Sequence, residues 1–256
     1  WYQMLLGTNE SYLAWMDEGF TSFAQNITFN NEFNDIYNLD FKNPLERSYN
    51  RYYNFIKTGL EEPLSTHSDH FSTNQAYGVG SYTKGAIFLM QLGYIIGEDK
   101  LFTGLRRYYN EWKFKHPDEY DFLRVMEKES GIELDWYIDY WVKTTHHIDY
   151  SIETTMKDEG KVLLSINRLG KMPMPIEIEI LYEDFSTINY YIPLSIMRGE
   201  KDNINDNYVL LEDWEWVNET YKIDLDNSDK KIKKIEINPS GKMADVDKTN
   251  NIIEFE

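Results

Sequence analysis

The sequence predicts an α+β fold in two parts: a helical half over residues 1–148, then an antiparallel β-sandwich over residues 149–256. The main observation is a change of period. Apolar side chains recur at helical spacing up to Ile148, and beyond it they alternate every second residue. Length and composition agree: 256 residues, 41% hydrophobic and 16% aromatic, suffice for one large or two modest cores and exclude a disordered tail.

In the first half, apolar side chains cover almost the whole circumference between Tyr82 and Ile96, so this helix is expected to be buried on most sides. Ser81 is its expected N-cap and Gly97 its stop. Leu101, Leu105, Tyr108, Tyr109 and Trp112 mark a second helix, with Pro117 beyond it as a breaker. Asp118 can cap a third, carrying Phe122, Val125 and Met126 and ending at Ser130-Gly131. A fourth, rich in Trp and Tyr, runs from Leu134 to Val142, while the polar stretch from Gly59 to Asn74, with Pro63, reads as a loop.

In the second half, Val162-Leu164-Ile166, Ile176-Ile178-Ile180-Tyr182, Tyr190-Ile192-Leu194-Ile196, Tyr221-Ile223-Leu225 and Ile235-Ile237 alternate with their neighbours. Half-buried strands need this pattern, because successive side chains point to opposite faces. Asp158-Glu159-Gly160 and Asp226-Asn227-Ser228-Asp229 are the expected turns. Charge is divided evenly between the halves, so periodicity alone marks the boundary.

Several function classes are excluded or disfavoured. With 26 Lys and Arg against 44 Asp and Glu, the net charge of −18 disfavours nucleic acid as a partner, since phosphate binding relies on clustered basic residues. The absence of Cys excludes disulfides, thiolate metal sites and cysteine nucleophiles. The most apolar run, Gly85 to Ile96, is too short for a membrane span. His67-x-x-His70 and His146-His147 are metal-capable pairs, yet neither has a carboxylate or third His at a ligand spacing. There is no Gly-x-Ser-x-Gly elbow and no phosphate-cradling glycine loop.

Two segments carry more. Trp15-Met16-Asp17-Glu18-Gly19-Phe20-Thr21-Ser22 and Tyr77-Gly78-Val79-Gly80-Ser81-Tyr82-Thr83-Lys84-Gly85-Ala86 read, taken singly, as a solvated helix start and a pair of packing tyrosines. Together they resemble the gluzincin zinc aminopeptidases of the aminopeptidase N type. The first is similar to that family's Asn-Glu-Gly-Phe-Ala segment and the second to its Tyr-Glu-Lys-Gly-Ala. Asp17 stands where the family more often has Asn. Softer likeness runs through Asp121-Phe122-Leu123 and Ser130-Gly131-Ile132-Glu133-Leu134 to Trp141.

The resemblance implies the following. The helical half is the C-terminal lobe of a thermolysin-like catalytic domain, and the β half is the sandwich that often follows it. Glu18 is the third zinc ligand, Tyr82 the donor that stabilises the transition state, and Tyr77 a second active-site Tyr. In that family eighteen residues separate the second His of H-E-x-x-H from the ligand Glu, which places that His two positions before Trp1. Both His ligands and the general-base Glu are therefore expected upstream, on the missing N-terminal part of a longer chain. The intact parent is expected to bind zinc and hydrolyse N-terminal residues from peptides; the fragment is expected to be inactive and to hold no zinc. The alternative is a non-catalytic relative acting as a peptide-binding or interaction module. Family habit suggests an extracytoplasmic home. The residues that bind substrate are not legible.

Overall fold

Of the stretch Tyr82 to Ile96, predicted to be buried on most sides, residues 85–96 form the central helix of the first structural unit, while Tyr82 is exposed. In the computed structural model, which describes residues 2–37, 42–156, 162–202, 208–225 and 230–255, every residue of this helix is buried. The chain divides into two compact units, Trp1–Thr145 and His146–Glu256.

The first unit contains α1 (Tyr2–Leu6), α2 (Ala14–Tyr37), α3 (Glu46–Ile56), α4 (Asn74–Gly78), α5 (Gly85–Ile96), α6 (Glu98–Trp112), α7 (Glu119–Ser130) and α8 (Asp135–Tyr137). α4 and α5 are joined without a break by a π-helical turn, Val79–Lys84. Ser81 therefore lies inside a continuous helix and is not its cap. Thr73 caps instead, its hydroxyl accepting from the Ala76 N–H at 3.0 Å. At the other end Gly97, with φ +91°, stops α5 where the spacing predicts. Asp118 caps α7 with a reciprocal bond between its own N–H and the Asp121 carboxylate. The predicted fourth helix is α8 followed by a second π-helical turn, Ile138–Val142.

Aromatic packing holds this unit together. Trp15 on α2 meets Phe88 on α5 edge-on at 4.8 Å, Phe88 stacks on Tyr137 at 4.8 Å, and Phe20 meets Phe122 on α7 at 4.8 Å. Such pairs contribute about 0.5–1.5 kcal/mol each beyond their buried area. Two polar pairs lie within the core: Gln91 donates to the Tyr49 hydroxyl at 2.7 Å and Tyr137 to the Phe88 carbonyl at 2.8 Å, while the buried indole N–H groups of Trp15 and Trp141 find no acceptor among the described residues.

The second unit has two sheets. One orders β1 (Tyr150–Met156), β2 (Val162–Arg168) and β6 (Thr220–Leu225), all antiparallel. The other orders β5 (Tyr208–Leu210), β4 (Thr187–Ile192), β3 (Ile176–Tyr182), β7 (Ile232–Ile237) and β8 (Ile252–Glu254). Alternation has its predicted effect: Leu164, Ile166, Ile176, Ile178 and Ile235 are fully buried. Three details differ from expectation. β4 pairs with β5 in parallel, so this sheet is mixed. β4 ends at Ile192 and does not reach Ile196, because Pro193 has no N–H to give the ladder. Glu177, which alternates with the apolar Ile176 and Ile178, is itself buried, in a pair with Lys201. The two predicted turns, Asp158–Gly160 and Asp226–Asp229, lie outside the described residues. Among the described residues no helix is long and apolar enough to cross a membrane.

Asp245 anchors the start of β1. It is fully buried, its Oδ2 accepting from the Tyr150 N–H at 2.9 Å and its Oδ1 from the Asp247 N–H at 3.0 Å. Burial pushes its carboxyl up to about 7, against the opposing pull of these bonds. A carboxyl whose folded value is raised contributes its full stability below its unfolded value, near 4, and loses it as pH rises toward 7. We predict that the denaturant stability of the β unit falls across this window, by a few kcal/mol at most. The fall should be shallower in Asp245→Asn, which cannot titrate. Parallel pH–stability curves for the two proteins would remove Asp245 as the source.

Candidate active site

The chemistry-bearing residues of the first unit meet where two helices nearly touch. A methyl on Gly19 of α2 would lie 2.6 Å from the backbone carbon of Gly85, and one on Gly85 would lie 2.7 Å from the Trp15 carbonyl oxygen. No side chain fits at either place, so α2 and α5 are in backbone contact. Glu18 precedes one of these glycines and Tyr82 stands three residues before the other. The Tyr82 hydroxyl donates to Glu18 Oε1 at 2.6 Å, across 64 residues of sequence.

The adjacent carboxylates Asp17 and Glu18 have opposite fates, because consecutive helical residues point about 100° apart. Asp17 is buried, accepting from the Gln3 side chain on α1 and, at 3.5 Å, from the Thr8 hydroxyl. Burial raises its carboxyl above the usual range, assisted by the charges of Glu10 and Glu18. Glu18 faces outward, half-buried, and among the described residues no cation pairs with it. Both lie in the first turns of α2, where the helix dipole favours negative charge.

Tyr82 sits on the π-helical turn, whose wide hydrogen bond runs from the Gly85 N–H to the Gly80 carbonyl. It is 38% exposed although its neighbours Ser81, Thr83 and Lys84 are buried. The bond to Glu18, more than burial, raises its phenol well above the usual range, so it is a neutral donor. Tyr77 on α4 stands edge-on to Tyr82 at 6.4 Å and to Phe71 at 5.7 Å, its phenol raised by burial and then by the Glu18 charge. The three residues singled out from the sequence are thus together on one surface.

Lys84 fixes the turn from beneath. Its ammonium is buried, bonded to Glu61 at 2.8 Å and to the Thr144 carbonyl at 3.3 Å, and lies 5.2 Å over the Trp141 ring. Glu61 also accepts from Tyr52 at 3.3 Å. Burial lowers the Lys84 ammonium, and the Glu61 charge opposes that shift. Sequence reading passed over this pair; Lys84 stood inside a quoted motif, and Glu61 lies in the polar loop without any pattern to mark it.

Neither His67 nor His70 is bonded to Glu18, Tyr77 or Tyr82. His67 Nδ1 accepts from the Asp69 N–H at 3.1 Å as a local cap, with the His70 ring 4.8 Å away. Among the described residues no group of three His, Asp or Glu could hold a metal. A cavity of about 670 Å³ is lined by apolar residues such as Phe23, Ile27, Phe102 and Leu105, and none of Glu18, Tyr77 or Tyr82 lines it.

The sequence matches the peptidase family M1 domain over residues 8–141, more than half its length, and the chain belongs to that family. Among solved structures, the crystal structure of Legionella pneumophila aminopeptidase A in complex with aspartic acid has a similar fold. The TM-score is 0.62 at 14% identity, covering 95% of this chain and 25% of that one. The present chain thus spans a quarter of the length of the relative it matches.

Two stability measurements test this description. Gly85→Ala should cost about 1–3 kcal/mol or more, because backbone has to move to admit the methyl. Lys84→Met should cost about 3–5 kcal/mol by taking the buried Lys84 cation away from Glu61. Adding Glu61→Gln to Lys84→Met should recover part of that loss, so denaturant unfolding of the double variant separates lost charge pairing from lost packing.

Proposed function

We propose that this chain is the C-terminal part of a zinc aminopeptidase, its helical unit being part of a thermolysin-like catalytic domain. The observation that carries the proposal is the 2.6 Å bond from Tyr82 to Glu18 in a chain of this family. Glu18 suits zinc as one ligand: a carboxylate on a rigid helix, outward-facing, with no cation on it among the described residues. It cannot hold the ion alone, and the two His ligands with the general-base Glu are assigned to sequence upstream of Trp1. Zinc is thus a cofactor of the intact protein, and this chain by itself is inactive. The chemistry such a metal supplies is Lewis-acid polarisation of a carbonyl and acidification of water.

The chain's own contribution is donation and positioning. As a peptide carbonyl becomes tetrahedral, its oxygen gains charge, and a neutral phenol stabilises that charge without carrying one of its own. Tyr82 is suited to this because its hydroxyl is held protonated and already points at Glu18. To act, it exchanges its bond to Glu18 for one to the substrate oxygen. Tyr77 flanks the Tyr82 ring, and the two make a wall of tyrosines beside Glu18.

In the full-length protein, Tyr82→Phe should keep zinc and fold while lowering kcat and kcat/KM together by ~10²–10³. Glu18→Ala should lose both zinc and activity, as metal analysis beside a peptide hydrolysis assay would read. A rate for Tyr82→Phe within about threefold of the parent, with zinc bound, removes Tyr82 from the chemistry. A parent that binds peptides but cleaves none is the non-catalytic alternative. For the 256-residue chain alone, equilibrium dialysis should find no tight zinc at Glu18.

A further inference from the structure

A cleft of about 400 Å³ opens beside Tyr82, walled by Ser22, Asn26, Ser48, Arg51, Thr83 and Tyr82 itself. It joins three separate segments: α2, α3 and the π-helical turn. Glu18, Ser22 and Asn26 are spaced by four residues, so they lie on one face of α2, about 6 Å apart per step. The wall therefore runs ~12 Å from Glu18 to Asn26, the reach of three to four residues of extended peptide. Ser48 and Arg51, three apart on α3, form the facing side. Beyond Arg51 lies a second hollow, lined by Arg51 again with Asn54, Phe55, Gln75 and Val79.

Arg51 brings a positive charge to this cleft in a chain whose net charge is −18, whereas Arg107 is paired with Glu111 and Glu129, and Arg124 with Asp121. Among the described residues no carboxylate pairs with Arg51, and neither hollow that it lines contributes an acidic side chain. The remaining lining groups are hydroxyls, amides and a few apolar surfaces. A guanidinium presents paired donors that match a carboxylate, whereas a neutral peptide leaves that fork unused.

We infer that Arg51 is a specificity-determining residue, which recognises a carboxylate carried by the peptide a few residues from the bond at Tyr82. The inference rests on the proposed peptidase reading and deepens it. The carboxylate can be an acidic side chain or the C-terminus of a short peptide. Both present the same chemistry to Arg51, and they are separated by the choice of substrate.

The test uses the full-length protein and matched tetrapeptides: one with an acidic residue at the third or fourth position, its amide counterpart, and each with a free or an amidated C-terminus. The parent should prefer carboxylate over amide. In Arg51→Gln the ratio of kcat/KM for the two should fall about tenfold or more, largely through KM. A fall confined to peptides with a free C-terminus assigns the terminal carboxylate; one confined to acidic side chains assigns those. Arg51→Glu should reverse the preference toward lysine-bearing peptides. An unchanged ratio, or an equal fall for every peptide, overturns the assignment, since a structural role would not discriminate. If the parent cleaves none of them, the peptidase reading has failed. Calorimetric binding of the same peptides to parent and Arg51→Gln then decides the Arg51 assignment on its own.

Discussion

The backbone contact between Gly19 and Gly85 is the constraint on which the rest of the site depends. Two helices packed through ordinary side chains sit 8–10 Å apart, with side chains filling the space between them. Removing both side chains at the crossing brings α2 and α5 together, and the residues flanking the two glycines inherit that closeness. Glu18 and Tyr82 are those residues. The same crossing brings Trp15 against Phe88, so the packing that stabilises the unit and the bond that defines the site have a single geometric origin.

The neighbouring charges are sorted by depth. Asp17 and Lys84 point inward and are satisfied by protein: Gln3 and Thr8 for one, Glu61 and the Thr144 carbonyl for the other. Glu18 and Tyr82 point outward and are satisfied only by each other among the groups described. The inward pair acts as fastening for the outward pair. A buried ion pair such as Lys84–Glu61 gains little net stability over an apolar substitute. Its effect here is positional, because it ties the π-helical turn to both Glu61 and the ring of Trp141.

Much of this was legible in the sequence, for identifiable reasons. β2, β3 and β7 follow from alternation because one face of each is buried, and α7 from Asp118 and Gly131 because caps are local chemistry. Glu18, Tyr82 and Tyr77 stood out only through the likeness of two short strings to those of a known family; taken singly, they read as a solvated helix start and packing tyrosines. The π-helical turn was not legible: a bond to the fifth residue in place of the fourth is chosen by what packs around the helix, and Ser81 looked like a cap for want of that information. The parallel pairing of β5 depends on a crossover with no local signature. The Arg51 cleft was invisible because its walls come from three segments, each of which reads as an ordinary polar helix face.

The π-helical turn has a further consequence. An α-helix sets angle as well as length, each residue advancing the direction of its side chain by about 100°. The wide turn between Val79 and Lys84 accommodates roughly one residue more than an α-helix would over the same rise. Everything on its N-terminal side, Tyr77 included, is therefore rotated in phase against α5, while α5 stays seated on α2. The orientation of the tyrosine wall is thus recorded in a residue count, not in the identity of any one side chain. Single-residue deletions in this turn would turn the wall as a vernier turns a scale, leaving the packing of α5 below it in register.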